Sequence, residues 1–302
     1  NVFDEMIPPT AMIVREEGES GMHPVTKITD NDAIIFFNYR SDRALQLTQA
    51  FVNPDVMDIP KKHVALQNLF FVTMTEYFFD LPVHVAFHPV NLENNLAQYL
   101  SNSGKTQFHI AESEKFAHVT SFFNGGASEA FPGEERKIVT SPEGNKNYAI
   151  HPEMSGEEIT EILIDKITNA DFNFYLANFA NGDMVGHTGD LHAGTKAVQF
   201  LDRFMHRIAQ AVLEVDGALI ITADHGNIEQ MINLKTGEID KEHSTSPVPF
   251  ILVSKEFEFP QPKDRNYLSL SGHVPVGVVS DVAPTVLDLM GLPKPVEMNG
   301  VS

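Results

Sequence analysis

The sequence contains no cysteine, so no disulfide, thiolate ligand or thiol nucleophile is available among its 302 residues. A bound metal would need histidine, carboxylate or hydroxyl ligands. Basic residues are also scarce, since 21 Lys and Arg face 41 Asp and Glu and the formal charge is -20. This balance argues against nucleic acid as the main partner, because binding a polyanion requires a basic surface. A well-solvated acidic surface is the simplest interpretation.

Long apolar runs are missing as well. No run approaches the roughly 18 residues that a membrane-spanning helix needs, and no apolar leader segment opens the chain. We therefore expect no membrane partner and a cytoplasmic protein. The apolar share of 42% and the charged share of 21% are typical of a globular chain. Its length suits one large domain or two smaller ones.

Predicted strands alternate with predicted helices, which indicates an α/β fold with crossover helices. Residues 33–37 form a continuous apolar run, typical of a strand buried on both faces. A helix is predicted from residue 92 with Asn91 as its N-cap. Another is predicted at residues 152–166, where Ser155 and Glu158 match a capping box. The domain boundary is predicted near residues 88–91.

A carboxylate and an imidazole follow the predicted strand at residues 173–179. Asp183 and His187 stand four residues apart, so one helical turn would place them on one face. Sites in α/β folds lie at strand ends, and this pair of ligand types suits Mn²⁺ or Zn²⁺. Taken alone, the spacing is more often that of a surface helix pair.

Two further stretches carry the same residue types. Asp224 and His225 directly follow the predicted strand at residues 218–221, and Gly226 permits a sharp turn there. His243 shortly precedes the next apolar strand. A lone histidine is more often merely exposed or hydrogen-bonded, but the three stretches together favour a metal site. Two metals close together would clamp the attacking and leaving oxygens of a phosphoryl group.

Three cations stand out in so acidic a chain. Arg40 and Arg43 lie together at a predicted strand end, and the arginine fork suits phosphate or carboxylate. The alternative for Arg43 is an ion pair with an acid on the following helix. Lys115 is a weaker signal, since a single lysine is usually a solvated surface charge.

Several segments, in order along the chain, resemble motifs of the cofactor-independent phosphoglycerate mutases, a family of the alkaline-phosphatase-like superfamily. The segments are residues 36–44 (with Arg-x-Asp-Arg), 111–126, 178–189, 221–227, 243–250 and 280–292. The resemblance implies an alkaline-phosphatase-like sandwich, with a central sheet flanked by helices. Residues 1–88 would be the latter part of an inserted α/β phosphotransfer domain that binds substrate. Residues 89–302 would be the carboxy-terminal part of the metal-binding domain.

The resemblance also implies roles for the residues already singled out. One metal would be held by Asp183, His187 and His243. A second would be held in part by Asp224 and His225. The phosphate and carboxylate of the substrate would be bound by Arg40, Arg43 and Lys115. The implied reaction interconverts 3-phosphoglycerate and 2-phosphoglycerate, a step of glycolysis and gluconeogenesis, through a phosphoserine intermediate and usually with two Mn²⁺.

The chain departs from the family pattern in one large respect. The family's nucleophilic serine and an aspartate ligand of the second metal lie near the amino terminus, and no segment here matches either. We therefore expect a carboxy-terminal part with an incomplete second site, which lacks the nucleophile needed to run the reaction by itself. A missing amino-terminal segment or a companion chain would be its partner. Another metal-dependent phosphatase or phosphomutase, or an inactive metal-binding fragment, remain the alternatives.

Overall fold

The structure, a computed structural model, divides the chain into two compact units, Asn1–Asn91 and Leu92–Ser302. It describes residues 10–14, 23–54, 66–78, 80–88, 92–142, 148–233, 235–257 and 274–302. In these ranges, no helix combines the length and the apolar character needed to cross a bilayer. The identity of the two units as parts of particular domains stays a prediction.

The first unit contains a parallel three-stranded sheet. Its strands, in spatial order, are β3 (Ala33–Phe36), β4 (Phe70–Thr73) and β5 (His84–Val85). A short antiparallel pair joins β1 (Ile13–Val14) and β2 (His23–Pro24). Helix α1 (Ser41–Val52) follows β3.

Strand β3 confirms the strand predicted at residues 33–37, but the prediction of burial on both faces was wrong. Phe36 packs edge-to-face on Phe71 and Tyr77, with ring centroids 6.3 and 6.0 Å apart. Ile35, on the opposite face, is 69% exposed. A continuous apolar run therefore does not distinguish a strand covered on one face from one covered on both.

The second unit is built around a parallel sheet in the order β7–β6–β8. The strands are β6 (Gln107–Glu112), β7 (Glu134–Val139) and β8 (Phe174–Asn178). An antiparallel pair is formed by β9 (Leu219–Thr222) and β10 (Phe250–Val253). The helices are α2 (Leu96–Asn102), α3 (Phe116–Val119), α4 (Gly156–Thr168), α5 (Asn181–Gly186), α6 (Leu191–Glu214) and α7 (Val282–Leu289).

Strand β6 is buried along its whole length. Phe108 and Ile110 point into a core that also contains apolar side chains of α4 and α6. Gln107 and His109 face the other way, and both have hydrogen-bond partners there. Gln107 donates to the backbone oxygen of Ala97 at 2.8 Å, and His109 contacts the backbone oxygen of Val119 at 2.7 Å. Because these polar groups have partners, the strand can be buried on both faces.

Two predicted helix starts were wrong. Helix α2 begins at Leu96 and not at residue 92, and the Asn95 side chain caps it by accepting a hydrogen bond from the Gln98 N–H at 3.0 Å; the predicted cap, Asn91, lies outside the described residues. Ser155 does precede α4, but it forms no capping box, because its hydroxyl donates to the backbone oxygen of Thr140 at 2.9 Å. A hydrogen bond to a residue distant in sequence, Thr140, has thus replaced the local capping contact with the start of α4.

Replacement of Ile110 by alanine tests the central position of β6. Ile110→Ala should lower the free energy of unfolding by about 2–5 kcal/mol, because it leaves a cavity in a packed core. The matched control is Ile138→Ala on β7, whose side chain is 50% exposed, and it should cost less than half as much. Urea unfolding followed by circular dichroism measures both. Equal losses would contradict the core assignment.

Candidate metal centre

The polypeptide turns directly from β8 into α5, and this turn places two ligand-type side chains together. Asp183 lies in the first turn of α5, and His187 is the residue that ends the helix. His187 Nε2 lies 3.0 Å from Asp183 Oδ1. The four-residue spacing therefore does bring the carboxylate and the imidazole to one side of the helix.

His243 reaches the same carboxylate from a distant part of the chain. Its Nε2 lies 3.0 Å from Asp183 Oδ1 and 3.2 Å from His187 Nε2. One ligand atom from each of the three residues lies within 4.8 Å of the others. One carboxylate oxygen and two imidazole nitrogens form a donor set that fits Mn²⁺ or Zn²⁺.

A hydrogen bond to the backbone fixes the orientation of the His187 ring. His187 Nδ1 lies 2.5 Å from the backbone oxygen of Lys241, so Nδ1 carries the proton and a neutral ring presents a lone pair at Nε2. That lone pair faces a carboxylate oxygen. Two acceptors at this distance repel each other unless a proton or a cation lies between them, and a metal ion meets this need.

Lys115 binds the other oxygen of the same carboxylate. It ends a 3-10 turn (Ser113–Lys115) that follows β6, and its Nζ lies 2.5 Å from Asp183 Oδ2. The side chain of Lys115 is only 9% exposed. The alternative of a solvated surface lysine is therefore wrong.

The charge of Asp183 is fixed by these neighbours. Burial raises the pKa of this carboxyl, but the opposing effect of the Lys115 ammonium, the Asn227 amide and His187 is larger. The net result is a pKa of about 2, below the ordinary value. Asn227 donates from Nδ2 to Asp183 Oδ1 at 2.8 Å. Sequence reasoning gave Asn227 no role, although it ends the segment at residues 221–227.

Asp224 and His225 lie beside this cluster rather than in it. The ring of His225 stacks on His243, with centroids 3.8 Å apart and an interplanar angle of 20°. Asp224 Oδ2 lies 3.7 Å from His225 Nε2. Neither residue shares the compact ligand set of Asp183. Their part in a second metal site stays a prediction.

His118 lies near this cluster and was assigned no role from the sequence. Burial lowers its pKa, Lys115 lowers it further, and Asp224 and Asp183 act in the opposite direction. The ring is therefore close enough to Asp183 and Asp224 for their charges to affect its pKa. Its Nδ1 is buried and makes no hydrogen bond to any described residue. The available signal was its position three residues after Lys115, within the segment at residues 111–126.

The two predicted substrate-binding arginines belong to the first unit. Arg40 immediately precedes α1 and is exposed, and Arg43 lies in the first turn of that helix. The side chain of Arg43 lies outside the described part of the chain, and so does its predicted ion pair. A common site for both arginines and Lys115 stays a prediction.

The turn that carries Lys115 is also bound to Tyr148. The Tyr148 hydroxyl donates to Glu114 Oε1 at 2.7 Å. Burial first, and then this carboxylate, raise the pKa of Tyr148 to about 12. The tyrosinate form has no proton to donate and would be repelled by the Glu114 carboxylate. This hydrogen bond therefore exists only while the phenol keeps its proton.

Tyr148 should therefore make stability fall in alkaline solution. Its pKa in the folded state lies above the ordinary value of 10.0, so its contribution is complete below pH 10 and is lost as the pH rises from about 10 to 12. Tyr148→Phe should show a smaller decline in the free energy of unfolding, and what remains comes from other groups such as Tyr77 and Tyr175, whose pKa values burial also raises. Glu114→Gln should lower the pKa of Tyr148 in a spectrophotometric titration. Identical alkaline profiles for wild type and Tyr148→Phe would contradict the assignment.

Comparison with known families gives a match over most of the chain. The family model described as the Metalloenzyme superfamily matches residues 31–294. This range contains all the site residues discussed above.

Curated relatives named 2,3-bisphosphoglycerate-independent phosphoglycerate mutase are similar over nearly the whole chain. The one from Pseudomonas fluorescens is 45% identical over 298 residues, which are 97% of this chain and 55% of that protein. The one from Thermomicrobium roseum is 46% identical over 301 residues, which are 100% of this chain and 55% of that protein. The chain thus spans about half the length of the curated relatives it matches.

A solved structure shows the same fold. It is a crystal structure of Leishmania mexicana phosphoglycerate mutase at low cobalt concentration, with a TM-score of 0.69 and 31% sequence identity. The similarity covers 92% of this chain and 51% of that one. The predicted α/β fold of the alkaline-phosphatase-like type is confirmed. The chain belongs to the Metalloenzyme superfamily, and its curated relatives there are cofactor-independent phosphoglycerate mutases, the family that its motifs resemble.

Proposed function

We propose that this chain is the carboxy-terminal part of a phosphoglycerate mutase, an isomerase that interconverts 3-phosphoglycerate and 2-phosphoglycerate. The observation that carries the proposal is the convergence of two histidines and one lysine on the Asp183 carboxylate. Such a site combines a metal-binding face with a cation that can hold an anionic substrate. The 45% identity to a protein of that name supports the same reaction.

The metal ligands are assigned as two groups. Asp183, His187 and His243 bind one divalent ion, most simply Mn²⁺, because the donors are oxygen and imidazole nitrogen without any thiolate. Asp224 and His225 contribute to a second ion. When bound, the two ions lower the pKa of the nucleophile and neutralise the transferring phosphoryl group. His187 and His243 leave room for entry, with side chains 39% and 49% exposed.

Lys115 is assigned to the substrate. Its ammonium is held next to the metal ligands by Asp183, so it can exchange that partner for a phosphate or carboxylate oxygen without moving far. A local cation matters here because the net charge of -20 repels an anionic substrate from most of the surface. Arg40 and Arg43 are assigned to the same substrate by their motif, with the forked geometry that suits its anionic groups.

The nucleophilic serine is assigned to a segment outside these 302 residues. No stretch of this sequence matches its motif, and the chain matches only 55% of the length of the Pseudomonas fluorescens relative. The partner of this chain is then an amino-terminal segment or a companion chain. We assign residues 1–88 to the latter part of the substrate-binding insert and residues 89–302 to the metal-binding domain, in a cytoplasmic enzyme.

Calorimetric titration with Mn²⁺ tests the three-ligand site. The wild-type chain should show a saturable site, and Asp183→Ala and His243→Ala should each weaken it more than about 100-fold, beyond the loss typical of residues behind the ligands. The control is His206→Ala on α6, an exposed histidine, which should leave affinity unchanged. Binding that ignores both ligand substitutions would refute the site.

Exchange between the two phosphoglycerates, followed by phosphorus NMR, tests the reaction. The chain with Mn²⁺ alone should give no exchange, and adding the amino-terminal half of the Pseudomonas fluorescens relative should restore it. In that mixture, Lys115→Met should lower kcat/KM by about 100-fold or more, because an anion-binding cation is lost. Release of free phosphate instead of exchange would favour the alternative of a phosphatase. Neither activity in the mixture would favour an inactive metal-binding fragment.

A further inference from the structure

The ligand side chains of the second unit come from segments that are far apart in sequence. Asp224 and His225 lie on the loop that follows β9, whereas His243 lies on the segment that precedes β10. Metal binding requires these segments to keep a fixed register to within a fraction of an ångström. The backbone supplies one link, because the Ser244 N–H donates to the Gly226 oxygen at 2.9 Å.

The Glu229 carboxylate supplies a second link, with one oxygen for each segment. Glu229 Oε2 accepts the Asn227 N–H at 2.7 Å. Glu229 Oε1 accepts a short hydrogen bond from the Ser244 hydroxyl. The Ser244 Oγ in turn accepts the Ser246 N–H at 3.2 Å. Both oxygens are therefore committed to groups that neighbour the ligand residues.

Asn227 and Ser244, the two partners of Glu229, each lie next to a residue of the metal centre. Asn227 donates its side-chain amide to Asp183 Oδ1, and Ser244 is the residue after His243. The approach is close enough to require glycine at position 226, where a Cβ would overlap the Glu229 carboxylate and the Ser244 hydroxyl. A carboxylate suits this place because its bonds to N–H and O–H donors are charge-assisted.

Glu229 does not belong to the compact ligand set itself. Burial raises its pKa, but the Ser244 hydroxyl and the backbone N–H groups lower it more. The carboxylate is therefore an anion whose oxygens both face hydrogen-bond donors, as expected for a residue that supports ligands from behind.

We propose that Glu229 is a positioning residue of the metal centre, which holds the His243 segment in register with the loop of Asp224 and Asn227. This inference rests on the metal site assigned under the proposed function. It adds a residue that acts through Ser244 and Asn227 and touches neither substrate nor metal. Its removal frees His243 to move away from Asp183 while the fold remains.

Mn²⁺ affinity in a double-mutant cycle tests this role. Glu229→Ala should weaken binding about 10- to 100-fold, and Ser244→Ala should weaken it in the same direction. The double variant should be no weaker than Glu229→Ala, because both changes break one contact. Glu229→Gln keeps an acceptor oxygen and should recover part of the affinity. Glu238→Ala is the matched control, since it removes the same charge from an exposed position.

Hydrogen exchange without metal gives an independent readout. In Glu229→Ala, the Ser244 amide should exchange about ten times faster or more, since its bond to Gly226 opens more often. Amides of α4 and α6 should keep their wild-type rates. Faster exchange throughout the unit would show a general loss of stability and would overturn the positioning role.

The outcomes separate the two proposals. If wild type binds Mn²⁺ and Glu229→Ala binds it equally well, the role of Glu229 is wrong and the metal site stands. If wild type binds no Mn²⁺, the assigned metal site is wrong, and the role of Glu229 falls with it. Additive losses in the double variant would also overturn the proposal, because the His243 segment would then not be held through the bond between Glu229 and Ser244.

Discussion

The Asp183 carboxylate is the group around which the described site is arranged. One of its oxygens bonds to Lys115, and the other meets Asn227, His187 and His243. These residues come from four separate places: the turn after β6, helix α5, the loop after β9 and the segment before β10. A largely buried anion must be compensated by donors or cations, since an unpaired one is costly. This requirement brings the distant segments to one point.

The parallel sheet provides the rigid frame for that anion. The carboxyl ends of β6 and β8 lie side by side, so the turn with Lys115 and the helix with Asp183 start from neighbouring strands. The helices α4, α6 and α2 pack around β6 and hold that strand in place. Strand β8 is held by its backbone hydrogen bonds to β6. The histidines stay partly open to solvent. The site thus has a rigid, buried part, which contains Asp183 and Lys115, and a solvent-accessible part, which contains His187 and His243. This arrangement suits a metal centre that admits a charged substrate.

Local features of the site could be predicted from sequence, and nonlocal ones could not. The spacing of Asp183 and His187 is a property of one helical turn, so sequence alone could pair them. The burial of Lys115, the amide of Asn227 and the carboxylate of Glu229 depend on contacts between segments. The spacing of residue types along the chain gives no information about such contacts. The same reason explains Ser155, whose local capping signal was overridden by a tertiary acceptor. Strands with apolar runs, such as β3, were predictable, but the covered face of β3 was not, and β7, whose first four residues are charged, was not predicted at all.

Anomalous diffraction at the manganese edge, from crystals of the chain grown with Mn²⁺, tests the central claim most directly. We expect a peak bounded by Asp183 Oδ1 and the Nε2 atoms of His187 and His243, with Lys115 still on Oδ2 or turned toward a bound anion. Manganese peaks found only elsewhere, with the Asp183 cluster unchanged, would contradict it. In that case the carboxylate would serve only to hold the fold together.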